Sequence, residues 1–167
     1  MYESMYGNTH AVAEAIGAGL EATYDVVVTP VEDVSPMGVA DADLLVVGGP
    51  THVHGMSRPS TRKAAVEAAE KPGSGLRLEE DVEGPGVREW LDGLGTVPRA
   101  TAAFDTRIKA PALVTGQASH GISKALRKHG AKEVLAPESF FVTKENQLME
   151  GEVERARQWG AGIAALA

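Results

Sequence analysis

Residues 3–9 read Glu-Ser-Met-Tyr-Gly-Asn-Thr, a short polar loop set directly before a helical pattern. Over residues 10–22, Val12, Ile16 and Leu20 recur every fourth position with Ala11, Ala15 and Ala18 around them, the spacing of one buried helix face. Ahead of the loop stand only Met1, Tyr2 and Glu3, the remnant of a strand. A helix N-terminus carries unpaired N–H groups and a partial positive charge, so it attracts a phosphate. Ser4 and Thr9 add hydroxyls and Asn8 an amide, while Gly7 lets the backbone turn tightly towards a ligand. The loop holds no lysine or arginine. Neutral donors and a helix dipole suit a phosphate monoester held without salt bridges. The competing reading is that Asn8 or Thr9 merely caps the helix.

Working outward, strands and helices alternate. Tyr24–Val31 is β-branched and contains Pro30, which predicts a strand. Asp43–Gly49 holds the uninterrupted run Leu-Leu-Val-Val, as in a strand buried on both faces. Ser57–Glu70 predicts a helix with Pro59 in its first turn. Residues 71–98 break the rhythm: they are rich in glycine and proline and carry the acidic cluster Glu79, Glu80, Asp81 and Glu83. Only Val87–Leu91 predicts a short helix there. A strand follows at Ala100–Asp105, then a loop through Gly121 that turns helical towards its end. Ile122–Lys128 lies within a helix stopped by Gly130. Ser139–Thr143 is the last strand, and Gly151–Ala165 the last helix, with Val153, Ala156, Trp159 and Ile163 at core spacing. Such alternation implies a parallel sheet with helices on both faces. The chain is expected to form one domain over 1–167, with 71–98 as an irregular insertion.

The first strand is the exception. Three residues are fewer than the usual five or six, although a doubly wound sheet would place this strand centrally between two neighbours. The natural chain is therefore expected to start several residues upstream.

Bulk composition excludes several classes. The 167 residues are 43% hydrophobic and 23% charged, an ordinary globular balance. A net charge of −7 argues against a nucleic-acid partner. Cysteine is absent, which excludes disulfides, thiolate metal sites and cysteine nucleophiles. No apolar run has transmembrane length and no signal peptide opens the sequence, so a cytoplasmic location is expected.

Other motifs carry less. No Gly-Lys-Ser/Thr phosphate loop occurs, and Gly17-Ala18-Gly19 lacks a third glycine and sits within a helix. His52-x-His54 has no cysteine or acidic residue in its loop, so no metal is expected. Ser119-His120 lacks a Gly-x-Ser-x-Gly elbow, which removes a hydrolase. Trp90 is expected in the core or at a partner contact rather than over a ligand, and Trp159 in the core.

Ser-x-x-Gly-Asn-Thr directly after a first strand resembles the FMN phosphate loop of the flavodoxin family. The family pattern usually has Thr or Ser where this chain has Tyr6, leaving the backbone N–H at that position. The resemblance extends over the element order of nearly the whole chain. It implies an α/β three-layer sandwich around a five-stranded parallel sheet in the order 2-1-3-4-5, with FMN at the carboxyl edge where strand order reverses. The phosphate would then lie on Ser4, Met5, Tyr6, Gly7, Asn8 and Thr9. The segment after the third strand, with Pro50, Thr51, His52, Val53, His54 and Gly55, resembles the first flavin-ring loop, and Gly55 is the candidate for the peptide beside the flavin N5. Phe104, Asp105, Thr106 and Arg107 resemble the start of the second ring loop. There Arg107 either faces the pyrimidine edge and favours the anionic reduced ring, or is solvated. The resemblance implies a low-potential electron carrier served by redox partner proteins, a reductase and an acceptor. The alternatives are an FMN-dependent NAD(P)H or quinone oxidoreductase and a fold relative that has lost FMN. No catalytic side chain is assigned.

Overall fold

The computed structural model describes residues 1–80 and 82–167; Asp81 of the acidic cluster lies outside the described residues. In chain order the elements are α1 (Asn8–Leu20), a 3-10 turn (Val31–Asp33), β1 (Leu44–His52), β2 (Gly55–Met56), α2 (Pro59–Ala69), α3 (Val87–Asp92), β3 (Ala100–Ile108), α4 (Ala112–Thr115), α5 (Ala118–Lys128), β4 (Lys132–Glu133), β5 (Glu138–Val142) and α6 (Glu152–Ala164).

The centre of the sheet is the parallel pair β1 and β3, in register from Leu44 opposite Ala100 to Pro50 opposite Thr106. Leu44–Val47 and Thr101–Phe104 supply apolar or small side chains to both faces, which is what a covered parallel strand requires. Both strands run past their expected ends. Thr51, His52, Thr106 and Arg107 stay within them: Thr51 and His52 pair with β2, Thr106 and Arg107 with β5, and the Thr51, Thr106 and Arg107 side chains have protein partners.

On one face, α1 and α6 place Val12, Ile16, Leu20, Ala156, Trp159 and Ile163 against Phe104 and Phe140. Phe104, Phe140 and Trp159 meet edge to face with centroids 6.1–6.4 Å apart, a favoured aromatic geometry. The two helices touch backbone to backbone: a Cβ on Gly19 would lie 2.1 Å from the Arg157 carbonyl oxygen, and one on Gly160 would lie 2.3 Å from that of Ile16. On the other face, Val87, Trp90 and Leu91 of α3 and Ile122 and Leu126 of α5 cover Leu45, Val47 and Ala103. Trp90 is a core residue whose Nε1–H donates to the Val34 carbonyl at 2.7 Å. Leu94 and Val97 close this face as well, while Val82 packs with Met5 and Ala65 in a separate cluster.

Four expectations are corrected. Tyr24–Val31 does not form a strand; it runs beside Tyr2 with a single parallel bridge at Pro30. β-Branching favours extended backbone but makes a strand only where a neighbour pairs with it, and Tyr2 alone does so. Pro50–His52 belong to β1 rather than to a loop, and β1 turns back into β2 through a hairpin, Thr51 opposite Met56 and His52 opposite Gly55. The last strand comes in two pieces, β4 on Ala100–Thr101 and β5 on Phe104–Ile108, both parallel to β3, with Pro137 between them, a residue without the N–H a ladder needs. The α/β class stands, but the five-stranded sheet is mixed and its order is β2-β1-β3-β4 with β5 also on β3, β2 running antiparallel to β1; Tyr2 joins it only through bridges to Pro30 and Gly48. Among the described residues no helix is long and apolar enough to cross a membrane.

Candidate functional site

The segments that follow Glu3, β1's buried stretch and β3 converge at the carboxyl edge of the sheet on a cavity of about 210 Å³. Met5, Tyr6, Asn8 and Thr9 line one wall, Pro50, Thr51 and His52 a second, and Thr106 and Arg107 a third. Ile108, Val142 and Asn146 complete it.

The first wall is the start of α1. Gly7 adopts φ +87° as its N-cap, and no side chain caps the helix. This left-handed conformation is one that glycine adopts without penalty. The Ser4 hydroxyl accepts the Gly7 N–H at 3.1 Å and so shapes the turn from outside the cavity lining. Asn8 donates through Nδ2 to the Asn146 carbonyl at 2.9 Å, and Thr9 shares a 2.7 Å hydroxyl contact with Thr106. Neither residue caps the helix by its side chain, which overturns the capping alternative. The first intrahelical bond is Ala11 N–H to the Gly7 carbonyl. Among the described residues, the N–H groups of Asn8, Thr9 and His10 therefore have no acceptor, the unsatisfied donors expected at an uncapped N-terminus. Tyr6 sends its hydroxyl away to the Ala65 carbonyl at 2.9 Å on α2, leaving its backbone for the cavity.

The second wall ends in strain. Val53 and His54 form the two-residue hairpin loop at φ +44° and +71°. Such loops are normally built from Asn-Gly or Gly-containing pairs, and a β-branched residue there costs about 1–3 kcal/mol. The loop is braced by the parallel bridge from His54 to Gly116. Val53 and His54 are exposed and, with Gly55, border the hairpin rather than line the cavity. The Thr51 hydroxyl accepts the Ala118 N–H at 2.9 Å and so satisfies the start of α5. Burial pushes the His52 imidazole below its usual pKa, which keeps it neutral.

On the third wall, Arg107 is buried, not solvated. Its guanidinium donates to the Ala110 carbonyl at 2.8 Å and to the Thr115 hydroxyl at 3.0 Å, lies 4.9 Å from the Phe141 ring centroid, and leaves its Nε–H without a partner. Strand alternation decides the other two positions. Phe104 points into the α1–α6 core and does not reach the cavity, a correction to the sequence expectation. Asp105 is buried on the opposite side, where it accepts the Ser119 N–H at 2.8 Å. Burial raises its carboxyl pKa, opposed by the bonds from Ser119 and Ser139 and by the Arg107 charge.

Two nearby residues escape sequence reasoning. Asn146 closes the cavity from the turn after β5 with φ +59°; the polar run Lys144-Glu145-Asn146 after the last strand is its signal, since Asn tolerates that backbone region. Glu79 reaches back from the 71–98 segment. Its N–H donates to the Met5 carbonyl at 3.0 Å, and its Oε1 lies 3.3 Å from His10 Nδ1 and beside Gly7. Nothing local in the sequence marks that long-range contact.

A mostly parallel α/β sheet with an uncapped helix start at its carboxyl edge is the architecture in which mononucleotide sites are found. The sequence profile of the Flavodoxin family matches residues 1–95, more than half of the chain. The chain belongs to the flavodoxin family, whose members bind FMN. Solved structures agree on the fold. A flavodoxin from the domain Archaea is 22% identical with a TM-score of 0.64, covering 98% of this chain and 93% of its own. Oxidised flavodoxin 1 from Bacillus cereus is 19% identical with a TM-score of 0.68, covering 99% and 95%. The flavodoxin of Streptococcus pneumoniae TIGR4 is 18% identical with a TM-score of 0.65, covering 99% and 96%. No curated protein matches the chain by sequence.

Proposed function

We propose that this chain is a low-potential electron carrier that holds FMN in the cavity at the carboxyl edge. The observation that carries the reading is the uncapped start of α1: three backbone donors and the Thr9–Thr106 hydroxyl pair converge there with no protein anion accepting from them. The fit is chemical. A phosphate monoester needs several donors and some positive potential, and the helix end supplies both. The backbone donors of Asn8, Thr9 and His10 would hold the phosphate, while His52, Arg107 and the strained hairpin would border the ring. Bound FMN would supply one- and two-electron chemistry. The protein supplies position and electrostatics. Glu79 and the net charge of −7 disfavour added negative charge on a reduced ring, which lowers its potential; Arg107 acts in the opposite sense.

The cavity is smaller than the roughly 300–1,000 Å³ of a fully enclosing ligand site, so a ligand as large as FMN remains partly open to partners. Val53, Ile108, Leu113 and Val114 are exposed on the hairpin, the end of β3 and α4. They offer the apolar surface on which a redox partner docks transiently. The test uses flavin-loaded protein. Photoreduced protein should pass electrons to an added one-electron acceptor such as ferricyanide or a cytochrome, with no steady-state oxidation of NAD(P)H. Sustained NAD(P)H consumption with a quinone would instead assign it to the oxidoreductases on this fold.

A further inference from the structure

A buried ionic group lies behind the cavity rather than in it. Tyr2 packs in the α1–α6 core, so backbone alternation turns Glu3 to the opposite face. There Glu3 is buried, and its Oε2 accepts the Val87 N–H at 2.8 Å, at the start of α3. Arg62 of α2 is buried beside it. Its Nη1 donates to the Ser57 hydroxyl at 3.0 Å and to Glu89 Oε2 at 3.1 Å. Glu89 in turn accepts the Gly86 N–H at 2.9 Å. The two charged ends crowd Gly86: a Cβ there would lie 2.6 Å from Glu3 Oε2 and 2.7 Å from Arg62 Nη1. Burial raises the Glu3 carboxyl pKa, opposed by the Ser57 hydroxyl, the Val87 N–H and the Arg62 charge.

A glutamate breaks the pattern of this face. The layer under α3 is otherwise built from Leu45, Val47, Val87, Trp90 and Leu91, and an aliphatic side chain would enter it with no charge to desolvate. Glu3 Oε1 and Arg62 Nε are buried without a hydrogen-bond partner among the described residues, so the group does not recover its full desolvation cost. A local exception of this kind is expected where a residue serves a site rather than the core. The remaining outward contacts of the phosphate loop end on the same elements. Met5 packs with Ala65 of α2 and with Val82, its carbonyl accepts the Glu79 N–H at 3.0 Å, and the Tyr6 hydroxyl reaches the Ala65 carbonyl. Met5 and Tyr6 also line the cavity. One side of the loop thus faces the cavity, and the other rests on α2 and, through Glu3, on α3.

We propose that Glu3 is a positioning residue for the phosphate loop: its carboxylate ties the start of the loop to α3 and α2 and so sets the direction of the Asn8, Thr9 and His10 donors. The inference rests on the reading of the α1 start as a phosphate site. Glu3 acts through the backbone. Its N–H is held by the Gly48 carbonyl at 2.9 Å, and its carboxylate is held by Val87, so the path by which Ser4 leaves the sheet is fixed from two points. Such coupling is reciprocal: a phosphate on the loop steadies the Val87 contact in return.

The test measures FMN and riboflavin affinities by fluorescence titration for the unaltered protein, Glu3→Gln, Glu3→Ala and Gly86→Ala. Glu3→Gln keeps an oxygen for the Val87 N–H, and Glu3→Ala removes it. Gly86→Ala displaces the carboxylate from outside, at a φ of −91° that alanine adopts freely. The readout is the ratio of FMN to riboflavin affinity, because a loss of overall stability weakens both flavins alike. The ratio should fall about tenfold in Glu3→Ala and Gly86→Ala and stay within about threefold in Glu3→Gln. Amide exchange on the unaltered protein gives a second measure that needs no variant to fold. FMN should slow exchange at Val87 beyond its effect at Ile163 on α6, and riboflavin should not. An unaltered protein that prefers FMN, with folded Glu3→Ala and Gly86→Ala keeping that preference, would overturn the inference and leave the phosphate site standing. So would equal slowing at Val87 by the two flavins, or a fall in Glu3→Gln as large as in Glu3→Ala, which would assign the effect to charge. Equal affinity of the unaltered protein for FMN and riboflavin would overturn the inference and the phosphate site together.

Discussion

On one side of β1 the sheet is a continuous ladder: β1 pairs with β3 over seven consecutive residues, and β3 pairs with β5 over five. On the other side, β1 pairs only with the short antiparallel β2 at its carboxyl end and with Tyr2, which bridges it to Pro30, and Asp25–Thr29 run extended without a ladder. The two sides have similar composition. Val26, Val27 and Val28 are as β-branched as Val46 and Val47, yet only the latter pair forms strand. The difference lies in the neighbours, and it teaches that β-propensity expresses itself through pairing and burial rather than in the isolated segment. It also separates two tasks. The paired side fixes the carboxyl edge where the proposed nucleotide site stands, and the unpaired side holds unused bonding capacity.

The sharpest contrast comes from truncating one apolar side chain on each side. Phe104→Ala removes a fully buried ring from the Phe140–Trp159 cluster and should cost about 3–5 kcal/mol in urea unfolding. Val27→Ala, at a side chain 78% exposed, should stay within about 0.5 kcal/mol. Similar losses at both sites would break the contrast.

The pH dependence follows in size. The buried Met1 amine has a folded pKa of about 6 against 8.0 unfolded, so the unfolded chain binds the extra proton between those values. Stability should be greatest above pH 8 and fall as pH drops towards 6, by up to about 2–3 kcal/mol. Unfolding of the chain with its terminal amine acetylated, measured across that range, should lose this dependence. A stability that rises as pH falls from 8 to 6 would show that the amine is not buried in its neutral form.

Smaller effects belong to the carboxyl edge. Thr9→Val removes the hydroxyl contact to Thr106 and a phosphate donor, and should weaken FMN binding about tenfold, or about 1.4 kcal/mol. Amide exchange at Val26–Val28 should not change, because that side does not share the site. Glu79→Gln removes a negative charge beside Gly7 and should tighten FMN two- to fivefold, roughly 0.5–1 kcal/mol, an effect that shrinks in high salt. Flavin fluorescence titration reads both.

Much of this is legible in the residues. The Ser-x-x-Gly-Asn-Thr loop, the Leu-Leu-Val-Val strand and the fourfold spacing of α1 are local signals, and each reports its own structure. The cavity gathers nine of the expected site residues for the same reason: the ends of parallel strands lie side by side once the alternation is known. What escapes depends on distant parts of the chain. Sequence leaves Arg107 open between ligand and solvent because its partners, Ala110 and Thr115, come from a segment without strong periodicity. It places Phe104 at the site because the strand reads as ending at Asp105, whereas β3 runs to Ile108 and carries the site to Thr106 and Arg107. The hairpin at Val53 and His54 breaks the residue preferences of its own turn type, so no sequence rule would place it there. Glu79 reaches Gly7 from a segment far along the chain, beyond any local pattern.

That the start of α1 is a phosphate site is tested most directly by titrating the same protein with FMN and with riboflavin, which differ only in that phosphate, and following flavin fluorescence. FMN should bind about 100-fold or more tightly than riboflavin, since the phosphate engages several backbone donors through charge-assisted bonds. Equal affinity for the two, or a folded protein that ignores both, would contradict the account.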